Sequence, residues 1–389
     1  MPVFSSDFIF DGNQFLPPGS SILINERGVL KGVYDHIPSE TNVLPGLIMP
    51  GMINVHCHLE LSYIKNRIPS GQGLICFLNH INALYRESRN ENQILNAIEQ
   101  AEAEMFKSGI VAVGDICNTP DTLTQKLKKK IQYINFAETF GVLDSNAESR
   151  FNHVLTLLEI FREAGLLVFP VPHAPYSVSS ALFEKINQDI SSISTIHNQE
   201  CLAENDLFAK GEGEFVSFLQ QFGLYDLPGK ANTSLQWFWP KLSRKQQIIL
   251  VHNTFTSAED IHFVQHSTQK VFWCLCPKAN QYIEQRVADP RPFIKAGANI
   301  VLGTDSLASN DSLNILSEIQ WLHAHYPEVS IEKMLHWATG AGADALQISD
   351  QFGRLKPDSS PGILHIPEWQ SIDSIPDVYS IHRLDIQNG

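Results

Sequence analysis

The sequence predicts a (β/α)8 barrel with a small β-sandwich formed by both chain termini. Eight apolar runs of strand length recur along the 389-residue chain, and a helix-like stretch follows each run. Continuous apolar strands that alternate with helices are typical of a parallel sheet covered by helices, and eight such units over about 300 residues fit a closed barrel. An open doubly wound sheet is the alternative, but no Gly-x-Gly-x-x-Gly motif follows the first run. The runs span 53–58, 110–116, 131–136, 166–173, 194–197, 248–252, 271–276 and 299–305.

Both ends of the chain differ in pattern from the middle. Short alternating apolar pieces at 8–10, 22–24 and 28–30 are separated by turn residues, which predicts a small β-meander. The tail has three further strand-like pieces without helical periodicity, at 353–357, 362–366 and 378–382. We therefore expect a barrel over 47–349 and a β-sandwich assembled from 1–46 and 350–389.

Composition and charge disfavour several classes of function. The chain has 28 Lys and Arg residues against 42 Asp and Glu residues, a formal net charge of −14, which argues against nucleic-acid binding. No apolar run approaches the roughly 20 residues of a membrane span, and the first residues lack a signal-peptide layout. The six cysteines are scattered without the spacing of a disulfide framework. We expect a cytoplasmic enzyme with a small-molecule substrate and no nucleic-acid or membrane partner.

Potential metal ligands stand at alternate positions at the end of the first run. Because strand side chains alternate between the two faces, His56, His58 and Glu60 point the same way. A pair of hydrogen-bonded core histidines is the alternative explanation for this segment taken alone.

Four later runs also end in polar residues. His173 ends the fourth run, His197 ends the fifth with Glu200 three residues further on, and His252 and Asp305 end the sixth and eighth. All strands of a barrel open with their carboxyl ends onto one face, where the site is built. The side chains expected to converge there are those of His56, His58, His197, His252 and Asp305.

The chemistry of these residues indicates a catalytic divalent cation. Imidazole and carboxylate ligands suit Zn²⁺ or Fe²⁺ better than Ca²⁺ or Mg²⁺. Three histidines and one aspartate with a position left for water are typical of a catalytic site, because such an ion makes its water a nucleophile near neutral pH. A nearby carboxylate, here Glu200, can then move protons between water, substrate and leaving group.

These motifs resemble the amidohydrolase superfamily, in its deaminase and chlorohydrolase branch. The resemblance covers nearly the whole chain and rests on segments 44–58, 173–179, 197–200, 276–280, 303–310 and 353–355. It implies one metal ion held by His56, His58, His197 and Asp305, with no lysine on a strand to bridge a second ion. It also implies that Glu200 is the proton shuttle, that Asp305 helps to deprotonate the water, that His252 steadies the attacked centre, and that Glu60 and His173 bind substrate.

Two details resemble the aminofutalosine deaminases of menaquinone biosynthesis. They are His-x-His-Leu-Glu-x-Ser at 56–62 and His-Ala-Pro-Tyr-Ser-Val-Ser at 173–179. The resemblance implies hydrolytic deamination of a purine-like nucleoside with release of ammonia. The alternatives are another amidine-type substrate at the same site (guanine, a pterin, a formimino compound or an s-triazine) and an inactive metal-binding homologue. A homodimer is a further expectation.

Several other residues have simpler explanations. His323 and His325 lie two apart on a helical pattern and point in different directions. We expect His262 and His266 on an outer helix face, Cys274 and Cys276 in the core, and the lysine-rich run 126–130 at an exposed helix end. The segment 237–239 (Trp-Phe-Trp) fits core packing, a lid or a subunit contact equally well.

Overall fold

A computed structural model describes residues 1–88, 90–189, 191–224 and 231–384. Strands and helices alternate along most of the chain. The strands are β1 (Val3–Ile9), β2 (Ser21–Ile24), β3 (Leu30–Tyr34), β4 (Asn42–Pro50), β5 (Met52–Cys57), β6 (Ile110–Cys117), β7 (Gln132–Thr139), β8 (Val168–Pro172), β9 (Ile193–Asn198), β10 (Gln247–His252), β11 (Val271–Leu275), β12 (Asn299–Leu302), β13 (Ile363–Ile366) and β14 (His382–Arg383). The helices are α1 (Leu74–Tyr85), α2 (Glu91–Lys107), α3 (Leu123–Lys126), α4 (Ala147–Glu163), α5 (Ser180–Ile186), α6 (Leu202–Lys210), α7 (Glu214–Gln220), α8 (Ser234–Phe238), α9 (Ala258–Gln265), α10 (Pro277–Glu284), α11 (Arg291–Lys295), α12 (Ile315–His325), α13 (Ile331–Trp337) and α14 (Gly340–Ala345).

The eight apolar runs are confirmed as the eight strands β5 to β12. They form two four-stranded parallel sheets, in the orders β5-β6-β7-β8 and β9-β10-β11-β12. Nearly every residue of these strands is buried, as expected for parallel strands covered on both faces. The fold is therefore α/β with parallel sheets.

Single backbone contacts connect residues at the edges of the two sheets in two places, here called seams. At one seam a parallel bridge joins Cys57 to Asp305, and the Thr304 amide donates to the His56 carbonyl at 3.0 Å. Gly303 makes this approach possible, because a Cβ at that position would lie 2.9 Å from the His56 Cβ. At the other seam the His197 amide donates to the His173 carbonyl at 2.9 Å.

The core follows from the alternation of strand side chains and the helical period. One apolar cluster contains strand residues, including Ile53, Ile134 and Phe136, together with residues of α14. A larger cluster lies between the strands and the outer helices. In α2 the side chain of Asn90 caps the helix by accepting from the Gln93 amide. The buried side chains of that helix recur at helical spacing: Ile94, Ile98, Ala101 and Met105.

Both ends of the chain contribute to one sheet, in the order β14-β13-β4-β1-β2-β3. Strand β4 pairs in parallel with β1 and antiparallel with β13. Two of the three tail strands were predicted wrongly. Residues 353–357 form a turn in which Arg354 pairs with Asp344, and only His382 of 378–382 lies in a strand. The sandwich arrangement and the domain boundaries at 46 and 350 remain predictions.

The lysine-rich run 126–130 contains a second wrong prediction. Lys126 is buried rather than exposed, and its ammonium group lies 2.5 Å from the carboxylate of Asp115 on β6. The neighbouring Lys128 is half-exposed as expected and pairs with Glu99. A short helix with one face against the strands places its first lysine inward, which composition alone cannot indicate.

The structure also shows where the remaining cysteines, histidines and tryptophans discussed above lie. Cys274 and Cys276 are buried, His325 is exposed on α12, and His262 and His266 lie on or next to α9. Trp237 packs against Phe183 and Phe208, and Phe238 and Trp239 are buried, so the 237–239 segment belongs to the core. Among the described residues, no helix combines the length and apolar character needed to cross a membrane.

Candidate metal centre

Four imidazoles and one carboxylate converge beyond the carboxyl ends of the strands. The Nε2 atom of His58 lies 3.3 Å from Nε2 of His197 and 3.5 Å from Oδ1 of Asp305. His56 Nε2 lies 3.6 Å from the same Asp305 oxygen. The ring of His252 packs 5.3 Å from that of His197, centroid to centroid. Residues from β5, β9, β10 and the segment after β12 are therefore brought together as predicted.

The spacing of these atoms fits a single cation. His56, His58 and Asp305 each offer a ligand atom within 4.8 Å of the others, and so do His56, His197 and His252. His56 Nε2 is buried and has no hydrogen-bond partner among the described residues. Since buried polar atoms are almost always paired, this lone pair is consistent with a metal ligand.

Hydrogen bonds at the far side of the rings orient two of them. His197 Nδ1 lies 2.7 Å from the His173 carbonyl, and His252 Nδ1 lies 2.8 Å from Oδ1 of Asn280. Both partners are acceptors, so each Nδ1 carries the proton and each Nε2 presents its lone pair to the centre. Fixing the tautomer from outside is the usual arrangement for metal-binding histidines. Asp305 is held in the same way, because the Ser309 hydroxyl donates to its Oδ2.

The electrostatics of the cluster favour neutral histidines and an ionised aspartate. Burial lowers the pKa of His58 to about 3 and that of His252 to about 4, although the charge of Asp305 acts in the opposite direction. Burial, reinforced by neighbouring histidines, also holds the pKa of His197 well below its usual value. For Asp305, burial raises the pKa, but the adjacent imidazoles of His56 and His58 outweigh it, and the pKa falls below its ordinary value. The centre thus has lone pairs and a negative charge at neutral pH.

The backbone is strained at the ends of three of these strands. Gln199, His252 and Asp305 have positive φ angles of 47°, 72° and 57°. Non-glycine residues rarely adopt this region, and each such residue costs on the order of 1–3 kcal/mol. The surrounding fold maintains these backbone conformations despite that cost. Strained backbone of this kind is common at functional sites.

Glu200 lies beside the cluster without being one of its close groups. Its Oε2 is 3.6 Å from His252 Nε2. The Glu204 carboxylate on α6 accepts from the amides of Gln199 and Glu200, at 3.0 and 3.3 Å, and so fixes the loop. Burial, then the charges of Asp305 and Glu204, raise the pKa of Glu200 well above its usual value. A carboxyl group so placed can hold or release a proton next to the centre.

The two residues predicted to bind substrate lie at different distances from the cluster. The His173 ring packs 4.9 Å from that of His197, and its Nδ1 lies 2.6 Å from the Ser177 hydroxyl. The Glu60 carboxylate instead accepts from the Asn118 amide at 3.1 Å and from the amide and hydroxyl of Thr119 at 2.9 and 2.8 Å. Burial raises the pKa of Glu60 to about 7 despite these bonds. Glu60 therefore anchors the loop after β6.

Sequence reasoning missed Glu138, a buried carboxylate at this centre. Its Oε1 lies 3.6 Å from His197 Nδ1, and it falls within 4.8 Å of ligand atoms of both His58 and His197. Burial raises the pKa of Glu138 to about 7. The available signal was strand parity, because Glu138 stands two residues after Phe136 and points to the same side. Asn280 and Ser309 lie within the motifs at 276–280 and 303–310, but the sequence pattern alone does not indicate a role for either.

Comparison with known proteins gives one family and several relatives. A model of the amidohydrolase family matches residues 47–369. An adenosine deaminase of Helicobacter pylori is 27% identical over 322 residues, covering 78% of this chain and 75% of the relative. An aminodeoxyfutalosine deaminase of Nitratiruptor sp. is 25% identical over 351 residues, covering 86% of this chain and 82% of the relative.

A solved structure supports the fold. The aminofutalosine deaminase of Helicobacter pylori in complex with methylthio-coformycin superposes with a TM-score of 0.80 at 21% identity, covering 96% of this chain and 94% of that chain. At this identity the likeness concerns the fold.

Proposed function

The chain belongs to the amidohydrolase family, and on this basis we propose that it is a metal-dependent deaminase that hydrolyses the exocyclic amino group of a purine nucleoside. The observation that carries this proposal is the gathering of His56, His58, His197 and Asp305 beside the buried carboxyl group of Glu200. A cation site with an adjacent proton carrier is one arrangement that catalyses hydrolysis of a carbon–nitrogen bond.

We propose His56, His58, His197 and Asp305 as the ligands of one divalent cation. Zn²⁺ fits this donor set best, and Fe²⁺ accepts the same ligands. A cation bound there supplies a Lewis acid that makes water nucleophilic near neutral pH. Support for a single ion comes from the lysines: Lys107, Lys185 and Lys295 lie on helices, so none of these three is placed to bridge a second ion.

In the reaction we propose, a carbon–oxygen bond forms at the amino-bearing ring carbon and the carbon–nitrogen bond breaks. Glu200 takes a proton from the attacking water and delivers it to the ring nitrogen. It then takes the proton of the newly formed hydroxyl group and delivers it to the leaving amine, so that ammonia departs and a carbonyl group remains. The neutral tautomer of His252 presents Nε2 as an acceptor 3.6 Å from Glu200, so His252 orients the hydroxyl group at the attacked carbon. His173 lies at the edge of the cluster, where it binds substrate.

The nucleoside substrate is supported by the relatives. Curated proteins similar over most of the chain are named adenosine deaminase and aminodeoxyfutalosine deaminase. We propose a purine nucleoside of this type, with aminofutalosine as the leading candidate. Guanine, pterins, formimino compounds and s-triazines remain the competing substrates, and Glu60 remains a predicted substrate contact.

We also propose that the two parallel sheets close into one (β/α)8 barrel. Support comes from the Cys57–Asp305 bridge at one seam and the His197–His173 hydrogen bond at the other. The six cysteines are free, which favours a reducing, cytoplasmic location. A homodimer remains a prediction that analytical ultracentrifugation can test.

Activity is expected to depend on bound metal. Protein stripped with a chelator should release no ammonia from substrate, and stoichiometric Zn²⁺ should restore turnover, because the imidazole and carboxyl groups that the structure describes at the centre do not themselves act as a Lewis acid. Elemental analysis first measures the metal content of the protein. Ammonia release is then measured with a panel of aminopurine nucleosides, free bases, pterins, formimino compounds and s-triazines. Ammonia from nucleosides supports the proposal. Turnover of only the other compounds would contradict the nucleoside, and metal-independent turnover would contradict the mechanism.

Removing the Ser309 hydroxyl is expected to weaken metal binding. The Ser309→Ala protein loses the group that orients Asp305, and losing such an outer partner typically lowers metal affinity about 10- to 100-fold. Competition with a zinc-binding dye measures the affinity. Ser312→Ala is the matched control, because the Ser312 hydroxyl pairs with Ser317 instead. Equal affinities of the two variants would show that Ser309 does not position Asp305.

A further inference from the structure

Unsatisfied acceptor atoms lie next to the centre, at the ends of β6 and β7. The Glu138 side chain is buried, with 7% of its surface exposed, and its Oε1 has no hydrogen-bond partner among the described residues. Oδ1 of Asn118, on the neighbouring strand end, is also buried without a partner there. The side-chain amide of Asn118 donates to the other Glu138 oxygen, Oε2, at 3.0 Å, so the two side chains are hydrogen-bonded to each other.

This acceptor pair is rigidly mounted. Both oxygens of the Glu60 carboxylate accept hydrogen bonds from the backbone amide of Asn118. One of these oxygens also accepts from the backbone amide and the hydroxyl group of Thr119. Glu138 itself lies within the ladder of β7, where it pairs with Val171 of β8. The two unpaired acceptor atoms are therefore held in place by two strands and the buried Glu60 carboxylate. Such rigid placement is what a group that binds substrate needs.

The distances argue against an orienting bond to His197. Glu138 Oε1 is 3.6 Å from His197 Nδ1, beyond hydrogen-bond length. That Nδ1 already donates to the His173 carbonyl at 2.7 Å. Nε2 of His197 faces His58 instead. Glu138 thus lies beside the His197 ring without a hydrogen bond to it, although within 4.8 Å of ligand atoms of His58 and His197, so its free oxygen is available to a non-reacting part of the substrate.

Two acceptors require a ligand that offers two donors. In a purine nucleoside the exocyclic amine is the reacting group, and the remaining donors near one another are the vicinal 2′- and 3′-hydroxyls of the sugar. A carboxylate is a common partner for ribose hydroxyls. Resting on the proposed nucleoside deamination, we propose that Glu138 and Asn118 bind the sugar hydroxyls and so make the enzyme selective for ribonucleosides over free bases and deoxy analogues.

The test compares adenosine with 2′,3′-dideoxyadenosine, which has the same base and lacks both hydroxyls. Glu138→Gln is expected to lower kcat/KM for adenosine about 10-fold, mainly through KM, because the neutral amide oxygen accepts hydroxyl hydrogen bonds more weakly than a carboxylate does. Dideoxyadenosine should be a correspondingly poorer substrate of the wild type and should be affected little by the substitution. Asn118→Leu should behave in the same way, and Glu163→Gln, an exposed change at the end of α4, should change neither substrate.

Two further measurements separate the possible outcomes. Zinc content and zinc affinity of Glu138→Gln should equal those of the wild type, and in a Glu200→Gln background the Kd of adenosine by calorimetry should rise by the same factor. A loss of zinc, or equal effects on both nucleosides, would overturn the role in sugar recognition while leaving the deaminase proposal intact. Absence of ammonia from every nucleoside with wild-type protein would overturn both.

Discussion

A Glu200→Gln protein is expected to keep its metal and to lose about 10²- to 10⁴-fold in kcat, the usual contribution of a general acid–base group. The amide matches the carboxyl group in shape but cannot carry a proton from water to the ring nitrogen. Glu200 is not among the grouped ligand atoms, so metal binding should persist. Steady-state kinetics together with metal analysis measure both quantities on the same sample.

The matched control for this change is Glu212→Gln. Glu212 is exposed between α6 and α7, in the same connection between β9 and β10, so its loss of charge should leave kcat unchanged. Full turnover by metal-loaded Glu200→Gln would remove Glu200 from the mechanism. Loss of metal from that variant would instead assign Glu200 to the ligand set.

The environment of Glu200 gives a physical reason for its large expected effect. The residue is 4% exposed, and its loop is fixed by hydrogen bonds from two backbone amides to the Glu204 carboxylate. In a buried site the ionised and neutral forms of a carboxyl group lie closer in free energy, because burial penalises the charged form. Glu200 can therefore exchange protons with water and substrate, whereas an exposed glutamate would stay ionised at neutral pH.

The strands and the histidine cluster were predictable because two simple constraints act on them. Parallel strands covered on both faces must be continuously apolar, which marks their positions in the sequence. Parallel strands also align their carboxyl ends, so polar residues that stop such runs meet in space. His56 and Asp305 could be brought together on this reasoning although they lie at opposite ends of the strand series.

Glu138 could not be found in the same way, because the apolar run stops before the strand does. Strand β7 continues to Thr139, held by pairing of Glu138 with Val171 and of Thr139 with Pro172. The polar end of the strand looks like a loop in the sequence. The hydrogen bonds that Asn118 and Glu60 make join the ends of separate strands. Such contacts leave no periodic pattern in a single sequence.

The buried Lys126 leads to the largest expected effect on stability. Lys126→Met should lower the free energy of unfolding by about 3–5 kcal/mol, the range for removing one partner of a buried ion pair. The methionine fills the space but leaves the Asp115 carboxylate uncompensated, with neither side chain exposed to water. Lys126 also donates to Asn135 at 2.7 Å, so that amide oxygen loses a partner as well. Urea denaturation followed by tryptophan fluorescence measures the change.

This ion pair also supports the metal centre, so the variant should weaken metal binding. Asp115 Oδ1 accepts from the Leu59 amide at 2.9 Å, directly between His58 and Glu60. Adding Asp115→Asn to Lys126→Met should recover part of the stability, because the buried charge disappears while an acceptor for the Leu59 amide remains. Lys128→Met is the control on the same run, since its exposed pair with Glu99 contributes little. Equal denaturation midpoints for Lys126→Met and Lys128→Met would show that the buried pair does not stabilise the fold.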